Sequence, residues 1–91
     1  MTQTILISGG SRGIGRATAL LAAAKGWQVA FTYHSAHEAA QEVAREIEAA
    51  GGAALAIKCD VGVEADVSAA FEATHERFGR LDGVVVNAGI V

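Results

Sequence analysis

The chain has 91 residues, of which 52% are hydrophobic and 19% charged, and its formal net charge is −3. A chain this short allows one small domain, because small domains bury a smaller share of their surface. The mild acidity excludes nucleic acid as the main partner, since nucleic-acid binding usually requires a basic face.

A cytoplasmic protein is expected from the cysteine count and the apolar runs. The single cysteine, Cys59, excludes an intramolecular disulfide and fits a reducing compartment. We expect it to be a small buried hydrophobe at a strand end. No apolar run approaches the roughly 20 residues of a membrane span, and the opening MTQTILIS has no signal-peptide pattern.

Four apolar, β-rich runs alternate with three helical patterns along the chain. The predicted strands are residues 4–8, 28–33, 53–58 and 81–86, and the predicted helices are residues 13–25, 36–50 and 64–78. Each helix shows one apolar stripe at the 3.6-residue period. The expected buried stripes are Ile14, Ala17, Leu21 and Ala24 in the first helix, Ala36, Ala40, Val43, Ile47 and Ala50 in the second, and Val67, Ala70, Phe71, Thr74 and Phe78 in the third.

This β-α-β-α-β-α-β alternation predicts an α/β fold with a parallel sheet and right-handed crossovers. The fold class is a Rossmann-type doubly wound sheet, here partial, with strand order 3-2-1-4. No linker or repeat divides residues 1–91, so we expect one unit.

The run SGGSRGIG, residues 8–15, lies between the first strand and the first helix. In such a sheet this loop faces the carboxyl edge, where ligands bind, and the free N–H groups of a helix start suit phosphate. Gly9 can make the tight turn, Gly13 can let the backbone approach a pyrophosphate, and Gly15 can let the helix pack closely on the sheet. The alternative is a flexible connection, but the strand-to-helix context favours a dinucleotide loop.

Three motifs together resemble the short-chain dehydrogenase/reductase family, classical type. The glycines follow the spacing G-x-x-x-G-x-G, with Ser8 where the pattern usually has threonine; Asp60–Val61 follow the third strand and Asn87–Ala88–Gly89 the fourth. The resemblance implies that Asp60 bonds the adenine amino group and that the Val61 backbone holds the ring. It also implies that residues 87–89 support the central strand and line the adenosine ribose. The match covers the whole chain and corresponds to the amino-terminal, cofactor-binding portion of the family.

The end of the second strand favours NADP over NAD. Enzymes selecting NAD place an acid there to bond the ribose 2′-hydroxyl, whereas this chain has Tyr33, His34 and Ser35, with no acid before Glu38. Arg12 could bind a 2′-phosphate through charge-assisted hydrogen bonds. The alternative for Arg12 is a solvated loop charge. For His34, an exposed, uncharged histidine and a contact with the phosphate are equally good interpretations. The predicted cofactor-binding set is Gly9, Ser11, Arg12, Gly13, Ile14, Gly15, His34, Ser35, Asp60, Val61, Asn87, Ala88 and Gly89.

The resemblance also implies a catalytic serine and a Tyr-x-x-x-Lys motif, and neither can be assigned in this sequence. Tyr33 is the only tyrosine, and His37 stands four residues after it. No spacing suggests a metal site. The leading interpretation is the cofactor-binding portion of an NADP(H)-dependent oxidoreductase acting on a small carbonyl or alcohol. The alternatives are a non-catalytic nucleotide-binding module, an inactive fragment and an interaction domain.

The last strand raises the question of oligomerisation. An apolar strand with an unpaired edge invites pairing with another chain. We therefore expect either that the chain is part of a longer protein or that it associates through this edge, and we predict a homo-oligomer.

Overall fold

The computed structural model describes residues 2–9 and 13–86. Within them, four strands alternate with three helices. The elements are β1 (Thr4–Ser8), α1 (Gly13–Ala24), β2 (Gln28–Tyr33), α2 (His37–Ala49), β3 (Ala54–Lys58), α3 (Glu64–Phe78) and β4 (Gly83–Val86). The element order confirms the predicted alternation, with most boundaries within one residue of those expected.

The four strands form one parallel sheet in the order β3-β2-β1-β4. Leu6, in the middle of β1, pairs with Ala30 of β2 and Val84 of β4. The predicted order 3-2-1-4 and the partial Rossmann-type fold are therefore confirmed. Because every strand runs the same way, the carboxyl ends of β1, β2 and β3 meet at one edge of the sheet.

The main core lies between one face of the sheet and helices α1 and α2. β2 contributes three large side chains to it, Val29, Phe31 and Tyr33, because alternate residues of a strand point to the same face. The rest of the buried cluster is Ile7, Ala19, Ala40, Val43, Ile47 and Ala54. For α2 the predicted stripe is confirmed at its centre, where Ala40, Val43 and Ile47 are buried.

Helix α1 packs through a different face from the one predicted. Ile14 and Leu21 are 76% and 60% exposed, whereas Gly15 and Ala19 are buried. Almost every position of this helix is apolar or small, so its periodicity does not single out one face. The small residues let the helix axis approach the sheet closely, and Ile14 and Leu21 are left outside, whereas Leu20 packs partly buried against the core.

Helix α3 covers the opposite face of the sheet. Ala70 and Thr74 are buried there as predicted, but Phe71 is 40% exposed. Glu64 and Asp66 lie in its first turn and Arg77 in its last, an arrangement that complements the helix dipole.

Strand β4 begins at Gly83, two residues later than predicted. Just before it, the Asp82 carboxylate accepts the Thr4 N–H at 2.8 Å, and the Asp82 N–H donates to the Thr4 carbonyl at 2.9 Å. The Arg80 guanidinium donates to both oxygens of the same carboxylate. These bonds, first from Arg80 and then from the Thr4 backbone, lower the pKa of Asp82.

Within residues 2–9 and 13–86, no helix combines the length and apolar character needed to cross a bilayer.

Candidate cofactor-binding site

A cavity of about 230 Å³ lies at the carboxyl ends of β1, β2 and β3. It brings together residues that are far apart in the sequence, including four of the predicted set: Gly9, His34, Asp60 and Val61. Its other lining residues are Ser8, Thr32, Tyr33 and Cys59. The sheet topology thus places the turn after β1, the end of β2 and the end of β3 around one space.

Gly9 turns the chain out of β1 at the floor of this cavity. Its φ of 76° lies in the left-handed region, which is strained for residues with a Cβ. Its N–H donates to Oγ1 of Thr32 at 3.0 Å, so the turn is attached to β2. Thr32 is itself buried, and this bond satisfies a polar group at the sheet edge.

Gly13 is the first residue of α1 and has a φ of +57°. A Cβ built on it would meet no described atom within 4 Å, so the space beside it is open. A helix start with open space and free N–H groups fits a phosphate, and a side chain would fill that space. The other two motif residues on α1 differ: Gly15 is buried against the sheet, and Ile14 is exposed.

Asp60 is held rigidly at the end of β3. Its backbone N–H donates to the Asp66 carboxylate at 3.0 Å, and its Oδ1 accepts the Gly62 N–H at 2.9 Å. Its Oδ2 lies 3.8 Å from Nε2 of His34, across the cavity mouth. An acceptor in a fixed position beside a cavity suits an amino group such as that of adenine. Val61, 57% exposed, follows it along the rim.

The end of β2 carries no carboxylate. Tyr33 is the last strand residue, and His34 and Ser35 after it are exposed. Glu38 lies in the first turn of α2. The absence of an acid at the strand end, expected from the sequence, is therefore also seen in the fold.

Cys59 is buried at the end of β3, as predicted. Burial, and then the charges of Asp66 and Asp60, raise the pKa of its thiol. A thiol kept protonated in this way is a packing group rather than a nucleophile.

A larger cavity, of about 440 Å³, lies at the opposite edge of the sheet. Residues at the carboxyl ends of α1 and α2 line it, among them Ala24 and Ala50, and none of its described lining residues is charged. Helix carboxyl ends carry partial negative charge and disfavour phosphate. On charge, the smaller cavity therefore suits a phosphate better than the larger one.

Five predicted residues, Ser11, Arg12, Asn87, Ala88 and Gly89, lie outside the described residues, and their roles stay predictions. The cofactor roles of the described motif residues stay predictions too. In the described part of the chain, no group of three or more His, Cys, Asp or Glu side chains is placed to hold a metal ion.

Sequence reasoning missed a contact beside the cavity. The Tyr33 hydroxyl and Nδ1 of His37 are hydrogen-bonded at 2.8 Å, and the two rings meet edge to face with centroids 5.6 Å apart. Sequence reasoning predicted His37 only as a surface residue, and it is exposed. The strand-to-helix connection between these residues has no periodicity that could have revealed the pair.

Comparison with known proteins supplies the family. The family model for short chain dehydrogenases matches residues 3–91. The chain belongs to the short-chain dehydrogenase family. This agrees with the partial Rossmann-type sheet and with the glycine spacing on which the resemblance was based.

Relatives of this short-chain dehydrogenase chain are oxidoreductases of greater length. It is 48% identical over 86 residues to the uncharacterized oxidoreductase YgfF of Escherichia coli (strain K12), covering 94% of the chain and 35% of that protein. It is 43% identical over 88 residues to a 3-oxoacyl-[acyl-carrier-protein] reductase of Synechocystis, covering 97% of the chain and 36% of that protein. The chain thus spans about a third of the length of these relatives.

Solved structures give the same family. A dehydrogenase/reductase from Sinorhizobium meliloti 1021 superimposes with a TM-score of 0.95 at 45% identity, over 99% of this chain and 36% of that one. Acetoin dehydrogenase from Enterobacter cloacae superimposes with a TM-score of 0.91 at 38% identity, over 100% and 37% of the two chains.

Proposed function

We propose that this chain supplies the cofactor-binding portion of an NADP(H)-dependent oxidoreductase. The supporting observation is the cavity that brings the turn at Gly9 beside His34, Asp60 and Val61 at the carboxyl edge of the sheet. Bound nicotinamide would supply a hydride to a carbonyl carbon of a small substrate, or accept one from an alcohol carbon. The chain's own residues would bind and orient the dinucleotide.

Each group at the edge has a separate task in this proposal. The backbone at Gly13 and the start of α1 bind the pyrophosphate, together with Ser11 and Ile14 of the same motif, and Gly15 lets the helix lie close to the sheet. Asp60 accepts a hydrogen bond from the adenine amino group, and the Val61 backbone holds the ring. Residues 87–89 (Asn87, Ala88 and Gly89) line the adenosine ribose.

The preference for NADP rests on charge at the 2′ position of that ribose. An acid at the end of β2 would repel a 2′-phosphate, and this place is occupied by Tyr33 with His34 and Ser35 beyond it. Arg12 is the cation assigned to the phosphate, through charge-assisted hydrogen bonds.

Calorimetric titration of the chain with NADPH and, separately, with NADH tests this proposal. The affinity for NADPH is expected to exceed that for NADH by about tenfold or more. This is the effect of one hydrogen bond to a charged group. Arg12→Ala should remove most of that difference and leave NADH affinity unchanged. Equal affinities in the unmodified chain would refute the NADP preference, and failure of both cofactors to bind would refute the dinucleotide site.

A non-catalytic nucleotide-binding module is the second candidate. In this candidate the Tyr33 hydroxyl serves only its hydrogen bond to His37 beside the proposed adenosine site. No residue of this chain is then assigned as the general acid. NADPH binding without turnover of any carbonyl substrate supports this candidate, and measurable turnover excludes it.

A further inference from the structure

The connection between β2 and α2 consists of three residues, His34, Ser35 and Ala36. The first two are those assigned above to the 2′ end of the cofactor ribose. Both are exposed, and His34 lines the candidate cavity. Whether His34 and Ser35 can bind the cofactor depends on what holds this short connection in place.

The start of α2 has no side-chain cap. The residue at the N-cap position is Ala36, with φ −88° and ψ 62°, and it makes no side-chain capping bond. Alanine is among the poorest residues at this position, because it cannot accept a bond from the first free N–H groups of the helix. The first turn of α2 is therefore not fixed by its own capping residue.

The Tyr33–His37 hydrogen bond spans this segment. Tyr33 is the last residue of β2 and His37 the first of α2, so the 2.8 Å contact closes a short loop around His34, Ser35 and Ala36. The tyrosine end is rigid, because the ring belongs to the buried core and the Tyr33 carbonyl accepts the Cys59 N–H at 2.8 Å. The helix start is thereby attached to the sheet edge by a side-chain contact.

We propose that Tyr33 and His37 are positioning residues, and that their hydrogen bond holds the β2–α2 connection where His34 and Ser35 meet the 2′-phosphate of the cofactor. The inference rests on the proposed function and adds a specificity determinant to it. Neither Tyr33 nor His37 need touch the phosphate. They act through the short segment between them.

Two adenosine nucleotides isolate this effect. Adenosine 2′,5′-bisphosphate and adenosine 5′-monophosphate differ only in the 2′-phosphate, and neither requires the nicotinamide end of a site. Their affinities for the unmodified chain are compared with those for Tyr33→Phe, His37→Ala and the double variant. Tyr33→Phe keeps the buried ring, and His37→Ala changes an exposed side chain, so both variants should fold.

Each single variant is expected to lower the affinity for the bisphosphate by about three- to tenfold, the effect of one lost hydrogen bond. The affinity for the monophosphate should change by less than about twofold, since this nucleotide has no 2′-phosphate to meet the β2–α2 connection. The double variant should lose no more than either single one, because removing one partner already breaks the bond. Thr74→Val, which deletes a buried hydroxyl in α3 that bonds the Ala70 carbonyl, should leave the ratio of the two affinities unchanged.

Equal losses for both nucleotides, or additive losses in the double variant, would overturn the positioning role and leave the proposed function intact. An unmodified chain that binds both nucleotides equally overturns the 2′-phosphate preference and this inference with it. Failure to bind either nucleotide overturns the dinucleotide site itself.

Discussion

Gly13 combines a positive φ with open space at a helix start. Its φ of +57° is costly for any residue with a side chain, and the space where a Cβ would point is open. The positive φ concerns the stability of the fold. The open space matters for function only if a ligand enters it. A substitution can therefore separate the stability of the fold from the binding of a ligand.

Gly13→Ala is expected to lower the free energy of unfolding by about 1–2 kcal/mol through backbone strain and to weaken NADPH binding by about tenfold or more by filling the phosphate site. Urea denaturation and calorimetric titration measure the two effects.

Gly26→Ala is the matched control. Gly26 also has a positive φ, +90°, and open space beside it, but it lies past the other end of α1. It should cost similar stability and leave NADPH affinity unchanged. Equal loss of binding in both variants would show that strain, not access to the phosphate, explains the result.

At this scale the sequence indicates motif residues, whose cofactor roles stay predictions, but not their contacts. Gly9 and Asp60 could be assigned because glycine and a strand-end acid have recognisable spacing. The bonds from Gly9 to Thr32 and from Tyr33 to His37 could not. They depend on how neighbouring strand ends and a helix start are brought together, which no local pattern records.

Among the elements, α1 shows why an apolar helix is hard to orient from sequence alone. The predicted stripe was defined by its largest residues, Ile14 and Leu21, and the observed contact is made by Gly15 and Ala19. Close packing on a sheet favours small residues at the contact. In a helix made mostly of alanines and leucines, the hydrophobic pattern does not show which apolar face makes that contact. In α2 the charged face was distinct, and the buried stripe was predicted correctly at Ala40, Val43 and Ile47 but not at Ala50, which is exposed.

Two substitutions in α1 test this orientation. Ala19→Leu should lower the free energy of unfolding by about 1–3 kcal/mol, because extra methylenes in a close contact force the helix away from the sheet. Leu21→Ala should change it by less than about 0.5 kcal/mol, since that side chain is mostly in water. Urea denaturation checks both, and the reverse order of effects would show that the helix packs through Leu21.

For the whole molecule, β4 is one of the two edge strands of the described sheet, and β3 is the other. Within the described residues it pairs with β1 alone, and Val84 and Val86 are 45% and 71% exposed. The same two valines line an apolar groove of about 230 Å³ beneath α3. Strand edges with exposed apolar residues favour pairing with another chain.

Self-association through this edge stays a prediction, measured by sedimentation velocity over a range of concentrations. We expect the unmodified chain to dimerise and Val84→Lys to shift it toward the monomer, because a charge at a strand edge opposes pairing. Leu21→Lys, on the exposed face of α1, is the control and should still dimerise. A chain that is monomeric at every concentration contradicts the prediction.

The proposed function depends on which end of the sheet receives the dinucleotide. The two ends differ in helix polarity: α1 and α2 begin at the end with the smaller cavity and finish at the end with the larger one. NADPH titration of an ¹⁵N-labelled sample, followed by amide chemical shifts, distinguishes the two ends directly. We expect the amide signals of Gly9, Gly13, His34 and Asp60 to shift most, while those of Gly26, Trp27 and Gly51 stay unchanged. Largest shifts at Gly26, Trp27 and Gly51, or no shift at Gly9 and Gly13, would contradict it.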